Sequence, residues 1–310
     1  MIELYSPTEN KFAAGIDLGG TFIKGGIVSS KGKISKECKL DTFSDVSPQK
    51  VISQIEKAIE ELLESFDDKI EGIGIGSPGI ARDGKVYYPP NFKGWKVVDL
   101  RKIIESRFHK NTIVNNDAKC AGLAELSFGH GRKIKDFLFL TLGTGIGGAI
   151  IINGKMYTGE KNGAGEFGQA SIEFDGPLSL GGNPGAVEAY LGRRYFLENE
   201  KAEIKKLGKG LDFKDISLLA SKGNKIAKGL LKRYGFYLGV ALTNYFNLMD
   251  MRTAVLSGGI SNAYKHFIGE CNRTIKARSL KTIKNEFQVL QSKIHNDAGV
   301  LGAAALILNQ

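Results

Sequence analysis

The stretch whose reading decides the fold runs from Phe137 to Lys155, FLFLTLGTGIGGAIIINGK. An apolar run enters T-L-G-T-G-I-G-G, and the chain then turns apolar again. A hairpin between two strands needs only a two-residue loop of the Asn-Gly kind, and Asn153-Gly154 supplies one further on. The earlier glycines therefore have a different task. They either relieve crowding in a core or let backbone N–H groups approach a ligand closely.

Working outward, the 310 residues suffice for one large domain or two of ordinary size. A hydrophobic share of 42% with 25% charged residues is that of a soluble globular chain. No apolar run approaches the roughly 20 residues of a membrane span. The opening MIELYSPTENKF lacks the basic-then-apolar order of a signal peptide. Cys38, Cys120 and Cys271 lie far apart, with no C-x-x-C, which argues against a disulfide or metal framework. A cytoplasmic protein is expected. The net charge of +10 suits an anionic partner. Its lysines gather at 201–210, 222–233 and 273–284, however, and these segments read as the wet faces of helices. No aromatic residues interleave with them, so neither a nucleic-acid nor a membrane partner is expected.

Residues 12–41 alternate short apolar runs with glycines and read as three strands. Ser47-Pro48 opens a helix, with Ser as N-cap and Pro at the first position. Val51, Ile55, Ala58 and Leu62 give that helix one apolar face. A buried strand is expected at 70–76, an amphipathic helix at 100–108 and a strand at 112–115. This succession indicates an α/β domain. The second half repeats the plan, with strands around the opening stretch, a glycine-rich insertion at 159–185, helices from about 187 to 249, and a strand at 253–257.

Two echoes indicate a duplication. GIDLGGTFIKGGIVSSKGK matches LTLGTGIGGAIIINGK, and Asn116-Asp117-Ala118 with Gly122 recurs as Asn296-Asp297-Ala298 with Gly302. Both Asn-Asp-Ala segments start helices rich in Ala and Gly, which permits close helix contact. Two similar halves with facing small-residue helices imply a cleft between domains.

At this point a family resemblance becomes specific. Two glycine hairpins, a strand ending in Gly-Gly and two small-residue helices resemble the five segments of the actin-like (ribonuclease H-like) sugar kinase fold. DLGGTFIK (17–24) resembles its first phosphate segment, LTLGTGIGG (140–148) its second, and LSGGIS (256–261) its adenosine segment. GIGIGSPG (72–79), PPNFKGW (89–95), VNNDAKCAGLAE (114–125) and GAGEFG (163–168) occur in the order of the ROK family of bacterial sugar kinases, repressors and related proteins. The match runs from about Gly15 to the end. It implies a small α/β domain over 1–116, completed by a C-terminal helix at 297–310, and a large α/β domain over 117–296.

The resemblance also implies an ATP- and Mg²⁺-dependent hexose kinase, glucose first, acting at the sugar 6-hydroxyl. Phosphoryl transfer asks mainly for placement and charge stabilisation, so N–H groups of facing glycine turns suit a triphosphate. Gly19, Gly20, Thr21 and Lys24, with Gly143, Thr144 and Gly145, are then the phosphate contacts, and Gly258 and Gly259 the adenosine contacts. Asp117 matches the family's general base; the alternative is an ordinary helix N-cap. Gly79, Asn91, Asn116, Glu166, Gln169 and Glu188, beside Asp117, match the sugar-binding positions, because carboxylates and amides read hydroxyls by paired hydrogen bonds. Gly79 is expected to shape the sugar loop rather than contribute chemistry.

One departure stands out. The family's usual zinc-binding His is Gln169 here, and its three cysteines are Ser179, Gly181 and Ala186. No zinc is expected. The remaining partners are sugar and nucleotide, with a homodimer as the implied assembly. Kinases of N-acetylhexosamine, mannose or fructose, polyphosphate as donor, and a catalytically silent sugar-binding regulator are the alternatives. A repressor would carry a helix-turn-helix ahead of residue 15, where no room for one is expected.

Overall fold

The computed structural model describes residues 11–294 and 297–310, so His295 and Asn296, the latter part of the second Asn-Asp-Ala echo, lie outside it. In chain order come strands β1 (Phe12–Leu18), β2 (Phe22–Ser29) and β3 (Ile34–Asp41), then helix α1 (Pro48–Leu63). Strands β4 (Ile70–Ser77), β5 (Ile80–Arg82), β6 (Lys85–Tyr87) and β7 (Val97–Asp99) precede helix α2 (Leu100–Phe108), strand β8 (Thr112–Asn116) and helix α3 (Asp117–Phe128). Next are β9 (Phe137–Leu142), β10 (Ile146–Ile152) and β11 (Lys155–Tyr157). Helices α4 (Val187–Leu191), α5 (Arg193–Asn199), α6 (Lys201–Lys205), α7 (Phe213–Ser221) and α8 (Lys225–Met249) follow. The chain closes with β12 (Thr253–Ser257), α9 (Tyr264–Arg278), β13 (Gln288–Gln291) and α10 (Ala298–Leu308). Among the described residues no helix is long and apolar enough to cross a membrane.

The described residues form two compact units, 11–132 with 158–163 and 297–310, and 133–157 with 164–294. Each holds one five-stranded sheet of the same plan. The first has the order β3-β2-β1-β4-β8 and the second β11-β10-β9-β12-β13. In both, an antiparallel hairpin lies beside strands that pair in parallel. The duplicated sequence thus folds as a duplicated topology. A three-stranded sheet, β5-β6-β7, had no clear trace in the sequence because its strands are three residues each.

The first unit's core follows the apolar pattern. In α1, Val51, Ile55, Ala58, Ile59, Leu62 and Leu63 are buried, and Ser47 caps the helix by accepting from the Lys50 N–H at 3.2 Å. Helix α10 lies on this sheet and against α3. A Cβ at Gly74 would stand 1.7 Å from the Ala303 carbonyl oxygen, and one at Gly302 would stand 1.7 Å from that of Cys120. Backbone meets backbone there, which only glycine allows. This contact draws α3 into the first unit, whereas the sequence reading opened the second domain at Asp117. The segment 158–163 joins the same unit because Asn162 donates to the Asn115 side chain at 3.2 Å, and the buried Lys119 donates to the Asn162 carbonyl. In the second unit α7, α8 and α9 build a separate core around Tyr234, Phe246 and Phe267.

Candidate active site

In the first unit, the hairpin at Gly19–Thr21 is gripped by its carbonyls. Those of Gly19 and Gly20 accept from the Thr42 and Ser44 hydroxyls, each at 2.7 Å, and that of Thr21 accepts from the Thr42 N–H at 2.9 Å. A trans peptide points its N–H opposite to its C=O. The N–H groups of Gly20 and Thr21 therefore face away from the clamp, at residues that are exposed. That is the arrangement an anion-binding turn needs.

Parallel pairing aligns the ends of three strands: Asp17 on β1 pairs with Gly76 on β4, which pairs with Asn115 on β8. Ligands of open α/β sheets gather at such carboxyl ends. Asn116 is the N-cap of α3; its Oδ1 accepts from the Ala118 and Lys119 N–H groups at 3.0 and 3.2 Å, and its Nδ2 donates to the Gly79 carbonyl at 3.0 Å. Asp117 is the first helical residue and accepts from the Ala118 N–H at 2.7 Å. The cap is thus Asn116, and Asp117 is not needed for it. Asp297 sits at the N-cap of α10 without a side-chain cap bond.

Burial raises the Asp117 carboxyl above the usual carboxylate range, against the lowering effect of its N–H partners. Asp17 is pushed up to about 6, by burial first and the Asp117 charge second, with Lys24 lowering it. Both carboxylates keep some solvent-accessible surface, so it is the surrounding protein rather than complete enclosure that disfavours their charge. Asp17 was quoted in the sequence only as the start of a phosphate segment. The signal for it was a lone carboxylate at the end of a buried strand.

Gly79 holds φ +82, and a Cβ there would stand 2.8 Å from Pro89, so it shapes the turn under the loop at 89–95. That loop is anchored by Phe92 and Trp95, whose rings meet edge-on at 5.7 Å, with the Trp95 Nε1–H donating to the Val86 carbonyl at 3.3 Å. Exposed Asn91 stands at the loop's tip with φ 66.

In the second unit, the hairpin at Gly143–Gly145 is held from behind. The Gly143 carbonyl accepts from the Arg193 N–H at 2.9 Å, so the Thr144 N–H points the other way. The Ile146 N–H donates to Glu188 Oε2 at 3.0 Å. A cavity of about 510 Å³ adjoins this hairpin, lined among others by Thr144, Arg193, Phe213, Gly259 and Asn262. Gly258, at φ +86, makes the turn after β12 because a Cβ would meet the Leu142 carbonyl oxygen at 2.4 Å. A second cavity, of about 740 Å³, shares Thr144, Arg193 and Asp212 with the first.

Glu166 is exposed just ahead of a short 3₁₀ turn, Phe167–Gln169, which is anchored by the Phe167 ring 4.8 Å from that of Tyr245. Three of the positions that depart from the family pattern, Gln169, Ser179 and Gly181, pack on one another. Ser179 donates to Gln169 Oε1 at 3.2 Å, Asn183 donates to the Gln169 carbonyl at 2.9 Å, and a Cβ at Gly181 would stand 2.2 Å from Oε1. Ala186 is buried and bridged to Ser171. Among the described residues no group of three or more His, Cys, Asp or Glu side chains is arranged to hold a metal ion.

With this geometry established, similarity to known proteins narrows the chemistry. The family profile described as "ROK family" matches residues 13–310. A glucokinase of Thermotoga maritima is 33% identical over 94% of this chain and 96% of its own length. A xylose repressor of Bacillus subtilis is 28% identical over 96% of this chain and 77% of its own. Among solved structures, a ROK family glucokinase from Streptomyces griseus in complex with glucose and AMPPNP superposes with a TM-score of 0.81 at 28% identity, covering 95% of this chain and 98% of that one.

Proposed function

The chain belongs to the ROK family and has the actin-like fold of its sugar kinases, and from that premise we propose that it transfers the γ-phosphoryl group of ATP to the 6-hydroxyl of a hexose, glucose first. The observation that supports this best is the division of labour at the start of α3. Asn116 satisfies the helix end, so the Asp117 carboxylate, with its raised proton affinity, is left for chemistry. Asp117 accepts the hydroxyl proton as the sugar oxygen bonds to the γ-phosphorus, and the bond from that phosphorus to the bridging oxygen breaks to release ADP. The two glycine hairpins bind phosphate oxygens through outward N–H groups. The Gly258-Gly259 turn and its cavity take the adenosine, and Glu166, Gln169, Glu188, Asn91 and Asn116 read the sugar hydroxyls.

Mg²⁺ fits the donor set of the first unit. A carboxylate pushed up to about 6 by burial and by a second carboxylate, with the Lys24 charge too weak to offset them, is one that a bound cation would keep ionised. Asp17 would hold the ion, which neutralises phosphate charge when bound. The test is ADP release in a coupled assay with glucose, mannose, N-acetylglucosamine, N-acetylmannosamine and fructose. No release above background with any of them, Mg²⁺ present, refutes the kinase reading.

A second donor is favoured by one observation. The larger cavity beside Thr144 carries Lys201, Lys205 and Lys209 on its wall, where Arg193 and Arg194 pair with Asp212 and Glu198 beside the apolar Leu197, Ile204 and Leu211. Such walls suit a linear polyanion, and inorganic polyphosphate is the phosphoryl donor of that class. Hexose phosphorylation by polyphosphate that falls in a Lys201→Glu, Lys205→Glu double variant, with ATP-dependent turnover retained, would support it. No turnover with polyphosphate removes it.

A further inference from the structure

Glu188 is half-buried in the first turn of α4, and its side chain reaches back to the second hairpin. Its Oε2 accepts from the Ile146 N–H at 3.0 Å, on the arm that leaves the turn. The same oxygen stands 2.3 Å from where a Cβ at Gly145 would lie, so carboxylate and turn are in direct contact. One helical turn later the Gly192 N–H closes on the Glu188 carbonyl at 2.8 Å, and a Cβ at Gly192 would meet the Thr144 carbonyl oxygen at 3.0 Å. Arg193 then donates its N–H to Gly143 at 2.9 Å, on the arm that enters the turn. The segment from Glu188 to Arg193 therefore holds both arms of the hairpin. Of its hydrogen bonds to the hairpin, only that of Glu188 comes from a side chain.

We propose that Glu188 is a positioning residue for nucleotide phosphate: its carboxylate sets the second glycine hairpin in the form that binds ATP, whether or not sugar is present. A hairpin made of glycines has little intrinsic preference for one conformation, so an outside acceptor on the Ile146 N–H restricts it strongly. A carboxylate oxygen suits the task because charge-assisted hydrogen bonds are about twice as strong as neutral ones. Among the described residues the side chain makes this one hydrogen bond, through Oε2, so Oε1 is available to a sugar hydroxyl. The contact between Glu188 and the hairpin belongs to the fold itself; its meaning for nucleotide rests on the proposed kinase reading.

Two measurements on the full chain test the proposal without sugar. The first is amide hydrogen exchange over residues 140–150, and the second is calorimetric titration with AMPPNP and Mg²⁺. Glu188→Ala should remove the protection of the Ile146 amide and weaken AMPPNP binding about tenfold, as loss of a hydrogen bond to a charged group does. Glu188→Gln keeps an oxygen that can accept the Ile146 N–H, so protection should persist and AMPPNP affinity should stay within about threefold, while sugar affinity falls. Native-like exchange over 140–150 in Glu188→Ala overturns the proposal, as does native-like AMPPNP affinity in that variant, even if sugar binding is lost. A residue that only read sugar would move neither quantity. If native protein bound no nucleotide, the kinase reading would fail, and the role in nucleotide binding with it; the exchange data would still report on the clamp.

Discussion

Replacing Asp17 by Asn should make the protein more stable and less active, by an amount that depends on pH. The folded environment pushes the Asp17 carboxyl up to about 6 from its ordinary 3.8. Between those values the folded chain keeps a proton that the unfolded chain releases. Stability therefore falls as pH rises through that window, and ionised Asp17 costs the fold about 3 kcal/mol by pH 8, at about 1.4 kcal/mol per tenfold change in proton affinity. The Lys24 charge is already included in that value, and the residue's partial exposure makes it an upper figure. Asn has nearly the same shape and never ionises. Asp17→Asn should thus gain up to about 3 kcal/mol at pH 8, roughly 6–12 °C in Tm for a unit of this size. The gain should shrink to about 0.5 kcal/mol near pH 4, where the folded carboxyl is almost fully protonated and the unfolded one about 40% so. Calorimetric unfolding at several pH values between 4 and 8, with EDTA to remove divalent ions, measures this directly. Turnover should fall in the same variant, a trade of stability for function at a charged site. A variant no more stable than native at pH 8, or a gain that does not shrink towards pH 4, would refute the account of Asp17.

The other expectations can be checked more briefly. Asp117→Asn should lose about 10²–10⁴-fold in turnover while sugar and nucleotide still bind, since the amide cannot take the proton and Asn116 keeps the helix cap; near-native turnover would show that Asp117 is not the base. Because burial raises the Asp117 carboxyl, kcat/KM in native protein should fall on the acid side at a pH above the ordinary carboxylate range, and an acid limb near 4 would contradict that. Gly74→Ala should cost more than about 3 kcal/mol, visible as a large drop in Tm or in soluble yield, because a Cβ 1.7 Å from the Ala303 carbonyl oxygen forces α10 off the sheet; a native-like Tm would mean that the contact is loose. Elemental analysis should find no stoichiometric zinc, and a chelator that spares Mg²⁺ should leave Tm unchanged, since Gln169, Ser179, Gly181 and Ala186 offer no set of nitrogen or thiolate donors. One tightly bound zinc per chain, lost together with activity, would show that these positions are misassigned.

The sequence by itself determined what depends on short-range pattern. Alternating apolar runs and glycine turns placed β1, β2, β9 and β10, Ser47-Pro48 fixed the start of α1, and the paired echoes announced two sheets of one topology. These features are local or repeat at fixed spacing, so each residue's neighbours in the chain specify them. Tertiary structure decided the rest. The sequence left Asp117 with a base or a helix-cap role, because either Asn or Asp can cap a helix; the turn of the backbone after β8 assigned the cap to Asn116. The environment of Asp17 depends on Asp117 and Lys24, which lie on other strands or helices, and proton affinity follows distance and burial rather than spacing. The resemblance already gave the C-terminal helix to the first unit, but the close backbone contact of Gly302 on α10 with Cys120 on α3, across most of the chain length, is what placed α3 there as well. The link from Glu188 to the Ile146 N–H crosses 42 positions, and nothing in either segment marks it. A side chain's partner across that separation is set by where packing brings two backbones together, and packing is a property of the whole fold.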